Sequence, residues 1–158
     1  MADLALGSQA PDFVSQGVDT ARLRSEAPLV VVIWRTGCST CRLAIPYYQR
    51  LQEKFPEANV VGVCQETKDV TADYCRQNGL TFKQVADEDD GLPVSRLFGP
   101  EAVPSYVLTD ESGRVLAGGE GWSADALNSI GSQIGAALGV ERGDVVPAGE
   151  PVPRLKPG

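Results

Sequence analysis

The sequence predicts an α/β fold built on a mixed central sheet with helices on both faces. Three observations carry this. Leu29 to Ile33 is an unbroken apolar, mostly β-branched run, as expected of a central parallel strand covered on both sides. Asn59 to Cys64 repeats that character after an intervening helical stretch. The chain then closes on two short strands and a last helix, so the order reads β-α-β-α-β-α-β-β-α, which folds as a layered sheet.

Each element has its own signal. Gly7 to Phe13 reads as extended, and Val18 to Leu23 as a short strand. After Leu29 to Ile33 a helix runs from Arg42 to about Phe55. Leu43, Tyr47, Leu51 and Phe55 are spaced by four on one face, and Pro46 inside the helix predicts a kink. Val70 to Asn78 is a helix stopped by Gly79. Phe82 to Ala86 is a third strand, and Asp87-Glu88-Asp89-Asp90-Gly91 an acidic, solvated turn whose spacing does not match a calcium loop. Leu92 to Phe98 is a short helix ended by Gly99-Pro100. Strands Ser105 to Thr109 and Arg114 to Ala117 flank the turn Asp110-Glu111-Ser112-Gly113. Ser123 caps a helix that runs to about Leu138 and stops at Gly139. The domain is read as 1–142. From Gly143 to Gly158 the chain is rich in Pro and Gly and reads as an extended or disordered tail that the domain does not need.

The chain has 158 residues, 42% hydrophobic and 22% charged, enough for one core without structural disulfides or metal. Its formal net charge of −7, with no basic cluster, argues against nucleic acid or an anionic membrane as partner. No run reaches the length of a membrane span, and Met1 to Phe13 lacks the pattern of a signal peptide. The expected compartment is cytoplasmic if Met1 is the native start, and periplasmic or otherwise extracytoplasmic if a signal was trimmed.

Chemistry concentrates in Trp34-Arg35-Thr36-Gly37-Cys38-Ser39-Thr40-Cys41. Two cysteines three apart at a helix start share one face of its first turn, within reach of a local disulfide. The unpaired N–H groups and the positive dipole end there favour a thiolate. Cys38, at the mouth of the strand–helix junction, is assigned the attack. Cys41, one turn inside, is assigned the resolving role. Cys64 and Cys75 fall in strand and helix patterns and read as buried small hydrophobes, with a second redox pair or a resolving role as the alternative. Histidine is absent, which removes the commonest metal ligand and general base.

These motifs resemble the thioredoxin-like superfamily, most of all its TlpA/ResA-like thiol-disulfide oxidoreductase and redoxin (alkyl hydroperoxide reductase/thiol-specific antioxidant) branch. The resemblance runs from about Gly7 to Leu138. It rests on Gly7-x-x-Ala10-Pro11-Asp12-Phe13, on Trp34 before Cys38-Ser39-Thr40-Cys41, on Pro46, on Val103-Pro104-Ser105 and on the turn after it. It implies a thioredoxin-like fold in which Asn59 to Ala86 is the inserted β-α unit. It also implies a cis Val103–Pro104 bond facing the dithiol, with backbone there for an extended peptide to pair with. Glu66 matches the family's strand-end acid. Two readings of it stand open, a proton relay to Cys41 or a loop charge. Trp34 reads as packing beside the site, and Arg35 first as an exposed surface charge. The sequence departs from the family at Gly37, where Trp is usual, at Thr40, where Pro is usual, and at Ala44, where cytochrome-maturation members carry an acid.

The implied activity is thiol-disulfide exchange between the Cys38–Cys41 couple and a disulfide-bearing protein or small thiol. It needs no cofactor, and its electron donor is not named by the sequence. One alternative is a peroxiredoxin-type peroxidase using Cys38, with Cys41 or Cys75 resolving. Against it, Arg35 stands where that pattern wants Thr, and Thr36 is one position off. The other alternative is non-enzymatic, as a scaffold or a soft-metal site. Two thiolates make an incomplete zinc site but can hold copper(I).

Overall fold

The computed structural model describes residues 4–88 and 91–158. A hairpin opens the chain, β1 (Val14–Ser15) against β2 (Val18–Asp19), followed by α1 (Thr20–Glu26). Gln16 (φ 50°) and Gly17 (φ 80°) make the left-handed turn that a two-residue hairpin needs. The strand expected over Val18 to Leu23 therefore ends at Asp19. Its carboxylate accepts the Arg22 N–H at 3.2 Å and starts a helix instead.

The next elements alternate as the sequence predicts: β3 (Leu29–Trp34), α2 (Ser39–Lys54), β4 (Asn59–Cys64), α3 (Lys68–Gln77), β5 (Lys83–Ala86), α4 (Pro93–Phe98), β6 (Ser105–Thr109), β7 (Val115–Glu120) and α5 (Ala124–Leu138), with two short strands the sequence does not predict, β8 (Trp122–Ser123) before α5 and β9 (Leu155–Lys156) after it. Among the described residues the main sheet has five strands, ordered β5-β4-β3-β6-β7. β3, β4 and β5 are parallel, and β6 and β7 add antiparallel. This is the mixed α/β sheet of a thioredoxin-like fold.

All six residues of β3 are buried. Val30, Val32 and Trp34 face one core with Ile45, Leu51, Ile130 and Ile134, under α2, α3 and α5. Leu29, Val31 and Ile33 face the other with Phe13, Val94 and Phe98, under α1, α4 and the opening segment. Burial on both faces is why β3 carries no polar alternation. Asp12 clamps Arg24 through two bonds of 3.0 and 2.7 Å, and that guanidinium holds its carboxyl below the usual range.

Two side-chain expectations also change. The buried face of α2 is Cys41, Ala44, Ile45, Tyr48 and Leu51, so Leu43 and Tyr47 lie on its flank. Tyr47 instead stacks on Trp122, with ring centroids 4.8 Å apart. Asp87 is not solvated. It is buried and accepts the Val94 N–H (3.0 Å), the Ser95 N–H (2.7 Å) and the Ser95 hydroxyl (2.7 Å), capping α4. Asp89 and Asp90 of that turn lie outside the described residues.

The largest departure is 143–158, which packs on the domain. Val145 and Val146 are fully buried. Asn128 exchanges two hydrogen bonds with the Val146 backbone, at 2.8 and 2.9 Å. Arg50 binds the Val145 carbonyl at 3.0 Å and both Glu150 oxygens at 2.9 Å. The Trp122 indole N–H donates to the Pro153 carbonyl at 2.5 Å. Gly131 of α5 makes the room, since a Cβ there would stand 3.1 Å from Val145 Cγ2. Removing 143–158 uncovers two valines worth about 1.5–3 kcal/mol each. Unfolding free energy should fall by about 3 kcal/mol or more, which a urea titration of the shortened chain against the full one measures.

Candidate active site

Trp34 ends β3, the chain turns through Arg35 to Gly37, and Cys38 caps α2 with an extended backbone (φ −94°, ψ 119°). Its sulfur accepts the Cys41 backbone N–H at 3.2 Å, satisfying a helix-end donor that would otherwise stand open. Its S–H points to the Val103 carbonyl oxygen at 3.4 Å. Cys38 is half-buried and Cys41 fully buried, and both are free thiols. Burial pushes the Cys41 thiol well above the usual cysteine range. The Cys38 sulfur beside it adds to that, and Arg35 partly opposes it.

The turn before Cys38 is held from both sides. The Glu66 carboxylate accepts the Thr36 N–H at 3.2 Å and the Thr36 hydroxyl at 2.7 Å. The Thr36 carbonyl takes the Arg42 Nε–H at 2.7 Å. Glu66 thus sits on the loop, and both described hydrogen bonds of its carboxylate are to Thr36. Trp34 lies buried behind the dithiol. Its indole N–H donates to Gln84 Oε1 at 3.1 Å, and its ring meets Tyr74 at 5.4 Å. Gln84 reaches it across Gly62, where any Cβ would fall 2.2 Å from that same oxygen.

The opposite wall is the loop before β6. The Val103–Pro104 peptide bond is cis, the Pro104 carbonyl accepts the Gly121 N–H at 2.7 Å, and the Ser105 hydroxyl donates to the Ala102 carbonyl. The structure therefore brings Cys38, Cys41, Trp34, Val103 and Pro104 together at the end of β3, with Glu66 one residue removed, behind Thr36. A hollow of about 140 Å³ opens beside them, lined by Arg35, Gln65, Glu101 and Val103. A larger one, about 390 Å³, lies at the far end of β3 near Pro28 and Leu138, away from the sulfurs.

Sequence reading missed one wall. The Thr40 hydroxyl donates to the Pro157 carbonyl at 2.7 Å, and Lys156 Nζ donates to Ser39 Oγ at 3.2 Å. Gly158 lies against the Val103 carbonyl. Nothing local in Lys156-Pro157-Gly158 marks this. The signal lies in the departure at Thr40, a hydroxyl where the resembled family has Pro.

The other thiols stand back. Cys64 is buried in β4, and burial pushes its thiol up to about 12. Cys75 is half-buried on α3, and burial raises it too. Among the described residues no three His, Cys, Asp or Glu side chains converge as a metal site. Cys38 and Cys41 are the pair that could hold a soft ion.

The AhpC/TSA family profile matches residues 6–117. The chain belongs to the AhpC/TSA family. The matched stretch of this AhpC/TSA chain includes the dithiol, Glu66, Val103 and Pro104. Thiol-disulfide oxidoreductase ResA of Bacillus anthracis is 24% identical over 120 residues, spanning 72% of this chain and 68% of that one. Among solved structures, the thioredoxin domain of a thiol-disulfide oxidoreductase from Bacteroides vulgatus aligns with a TM-score of 0.72. It is 23% identical and covers 84% of this chain and 99% of its own. A thiol:disulfide interchange protein from Bacteroides sp. aligns with a TM-score of 0.70 at 19% identity, covering 93% and 94%.

Two predictions follow from this geometry. Timed alkylation of the reduced protein at pH 8, with mass mapping, should label Cys38 first. With its thiol pushed up to about 12, Cys64 holds only about one part in ten thousand as thiolate there. Its labelling should rise about tenfold per pH unit as pH climbs. Glu66→Ala removes a charge-assisted acceptor from Thr36 and should cost about 1.5–3 kcal/mol, whereas Glu66→Gln keeps an acceptor oxygen and should restore most exchange activity. A proton-relay role would instead lose activity in both variants.

Proposed function

We propose that this protein is a thiol-disulfide oxidoreductase that exchanges the Cys38–Cys41 dithiol/disulfide with protein substrates. The observation that carries the reading is the asymmetric pair. A half-exposed sulfur sits at a helix N-terminus, bonded to the Cys41 N–H, with a fully buried partner thiol one turn inside.

The exchange follows from that asymmetry. The Cys38 thiolate attacks one sulfur of the substrate disulfide. The substrate S–S bond breaks, a Cys38–substrate bond forms, and the first substrate thiolate leaves and takes up a proton. Cys41 stays protonated while Cys38 carries charge, because burial and the neighbouring sulfur both hold its proton. In the mixed disulfide that charge is gone, so one of the two effects holding the proton disappears. Cys41 then loses its proton and attacks the Cys38 sulfur. The second substrate thiolate leaves, two electrons have passed to the substrate, and the enzyme holds the Cys38–Cys41 disulfide. A separate electron donor restores the dithiol, and the same steps in reverse oxidise a substrate dithiol.

Partners of this kind are disulfide-bearing proteins, with small thiols as lesser substrates. Among the described residues no helix is long and apolar enough to cross a membrane. Of the two compartments the sequence leaves open, the extracytoplasmic one suits this chemistry, since protein disulfides persist there.

Insulin reduction and peroxide consumption, measured on the same protein, test the reading. Cys38→Ser should abolish insulin reduction. Cys41→Ser should stop turnover and accumulate a substrate disulfide on Cys38, visible on a non-reducing gel. Rapid Cys38-dependent peroxide consumption with no insulin reduction would replace this reading with the peroxidase.

A further inference from the structure

We propose that Leu155–Gly158 is an internal occupant of the edge at which an extended protein substrate pairs beside Cys38, so that protein disulfides reach the dithiol when this strap lifts. The proposal rests on the oxidoreductase reading for the nature of the substrate and on geometry for the strap.

The strap meets the site on two sides, at the first turn of α2 and at the Val103 loop. β9 pairs antiparallel with β8, Trp122 opposite Lys156 and Ser123 opposite Leu155. Beyond it, Pro157 and Lys156 engage Thr40 and Ser39, the two residues between the cysteines, at 2.7 and 3.2 Å. Gly158 then stands against Val103, and a Cβ there would lie 2.6 Å from the Val103 carbonyl oxygen. That oxygen is the one the Cys38 S–H points to. An extended peptide pairs through backbone groups and needs such an edge free. Here Gly158, at the end of the chain's own extended segment, stands against it.

The strap is also built to leave. Val145 and Val146 upstream are fully buried and anchor the segment. Arg154, Leu155, Pro157 and Gly158 are exposed, Leu155 at 74%. Lifting them breaks a few polar contacts while the anchor stays in place. Gly121 is the seat. A Cβ there would meet the Lys156 carbonyl oxygen at 2.8 Å and the Gly158 nitrogen at 3.0 Å, so a side chain at 121 and a closed strap compete for one space.

Cys38 modification by N-ethylmaleimide, and by the same maleimide carried on a large polyethylene glycol, tests this without any redox turnover. Deleting Leu155–Gly158 should raise the large-to-small rate ratio about tenfold, as expected when closure rests on a few ordinary hydrogen bonds. Insulin reduction should rise with it. Thr40→Val removes the hydroxyl that holds the Pro157 carbonyl, keeps the strap residues and should move the ratio the same way. Circular dichroism of each variant checks that the domain is intact. An unchanged ratio in both variants overturns the strap as a barrier. A fall in insulin reduction on deletion overturns it too, by making the segment a docking platform. A raised ratio with no insulin reduction by any form would remove the oxidoreductase reading and the substrate half of the proposal with it, and leave a cover over Cys38.

Discussion

The hydrogen bond from the Cys41 backbone N–H to the Cys38 sulfur is the interaction around which the site is arranged. It gives α2 the cap that Ser or Asp supplies in other helices, here Ser123 on α5 and Asp19 on α1. A sulfur can take that place only if the backbone at Cys38 is extended and its loop is fixed. Thr36, held by Glu66 and by Arg42, does the fixing. β3, buried on both faces, sets where the loop begins. Stability and reactivity thus meet in one contact, because the sulfur that caps the helix is also the one left open to the surface.

Burial separates the two sulfurs by role. Both belong to one helical turn, yet Cys41 is sealed under Trp34 and the α2–sheet core, and Cys38 opens to the surface. Desolvation penalises a thiolate at Cys41, at Cys64 and at Cys75, all in the same direction. Selectivity among four cysteines therefore comes largely from packing. The attacking sulfur also faces the neighbouring loop, 3.4 Å from the Val103 carbonyl oxygen.

The sheet was legible because its central strands β3 and β4 are near-continuous apolar runs, and β4 and β6 match their expected bounds residue for residue. The dithiol was legible because helix starts and cysteine spacing are local. What was not legible depended on distant partners. The exception is local: Asp19 ends its strand because its carboxylate takes the Arg22 N–H three residues on and starts a helix. Asp87 looked solvated because the N–H groups it caps come seven and eight residues later. The tail hid its valines among prolines, and Pro and Gly are read by habit as looseness. A better clue lay in α5, where glycine is costly in a helix interior yet Gly131 and Gly135 stand one turn apart. Both face returning chain, Gly131 toward Val145 and Gly135 toward the Val140 carbonyl.

Seen from Cys38, the two approaches to the sulfur differ in kind. On one side lies the hollow between Arg35, Gln65 and Glu101, polar and open. On the other, the strap crosses from the start of α5 to the first turn of α2, and its backbone meets Thr40 where the resembled family has Pro. A proline at that position offers no hydroxyl, so a chain crossing there would find no donor for its carbonyl. Thr40 and Gly121 therefore belong to one arrangement, the first supplying the bond and the second the space. The residues between the cysteines are usually considered for what they do to the sulfurs. In this chain they also hold the segment that stands in front of them.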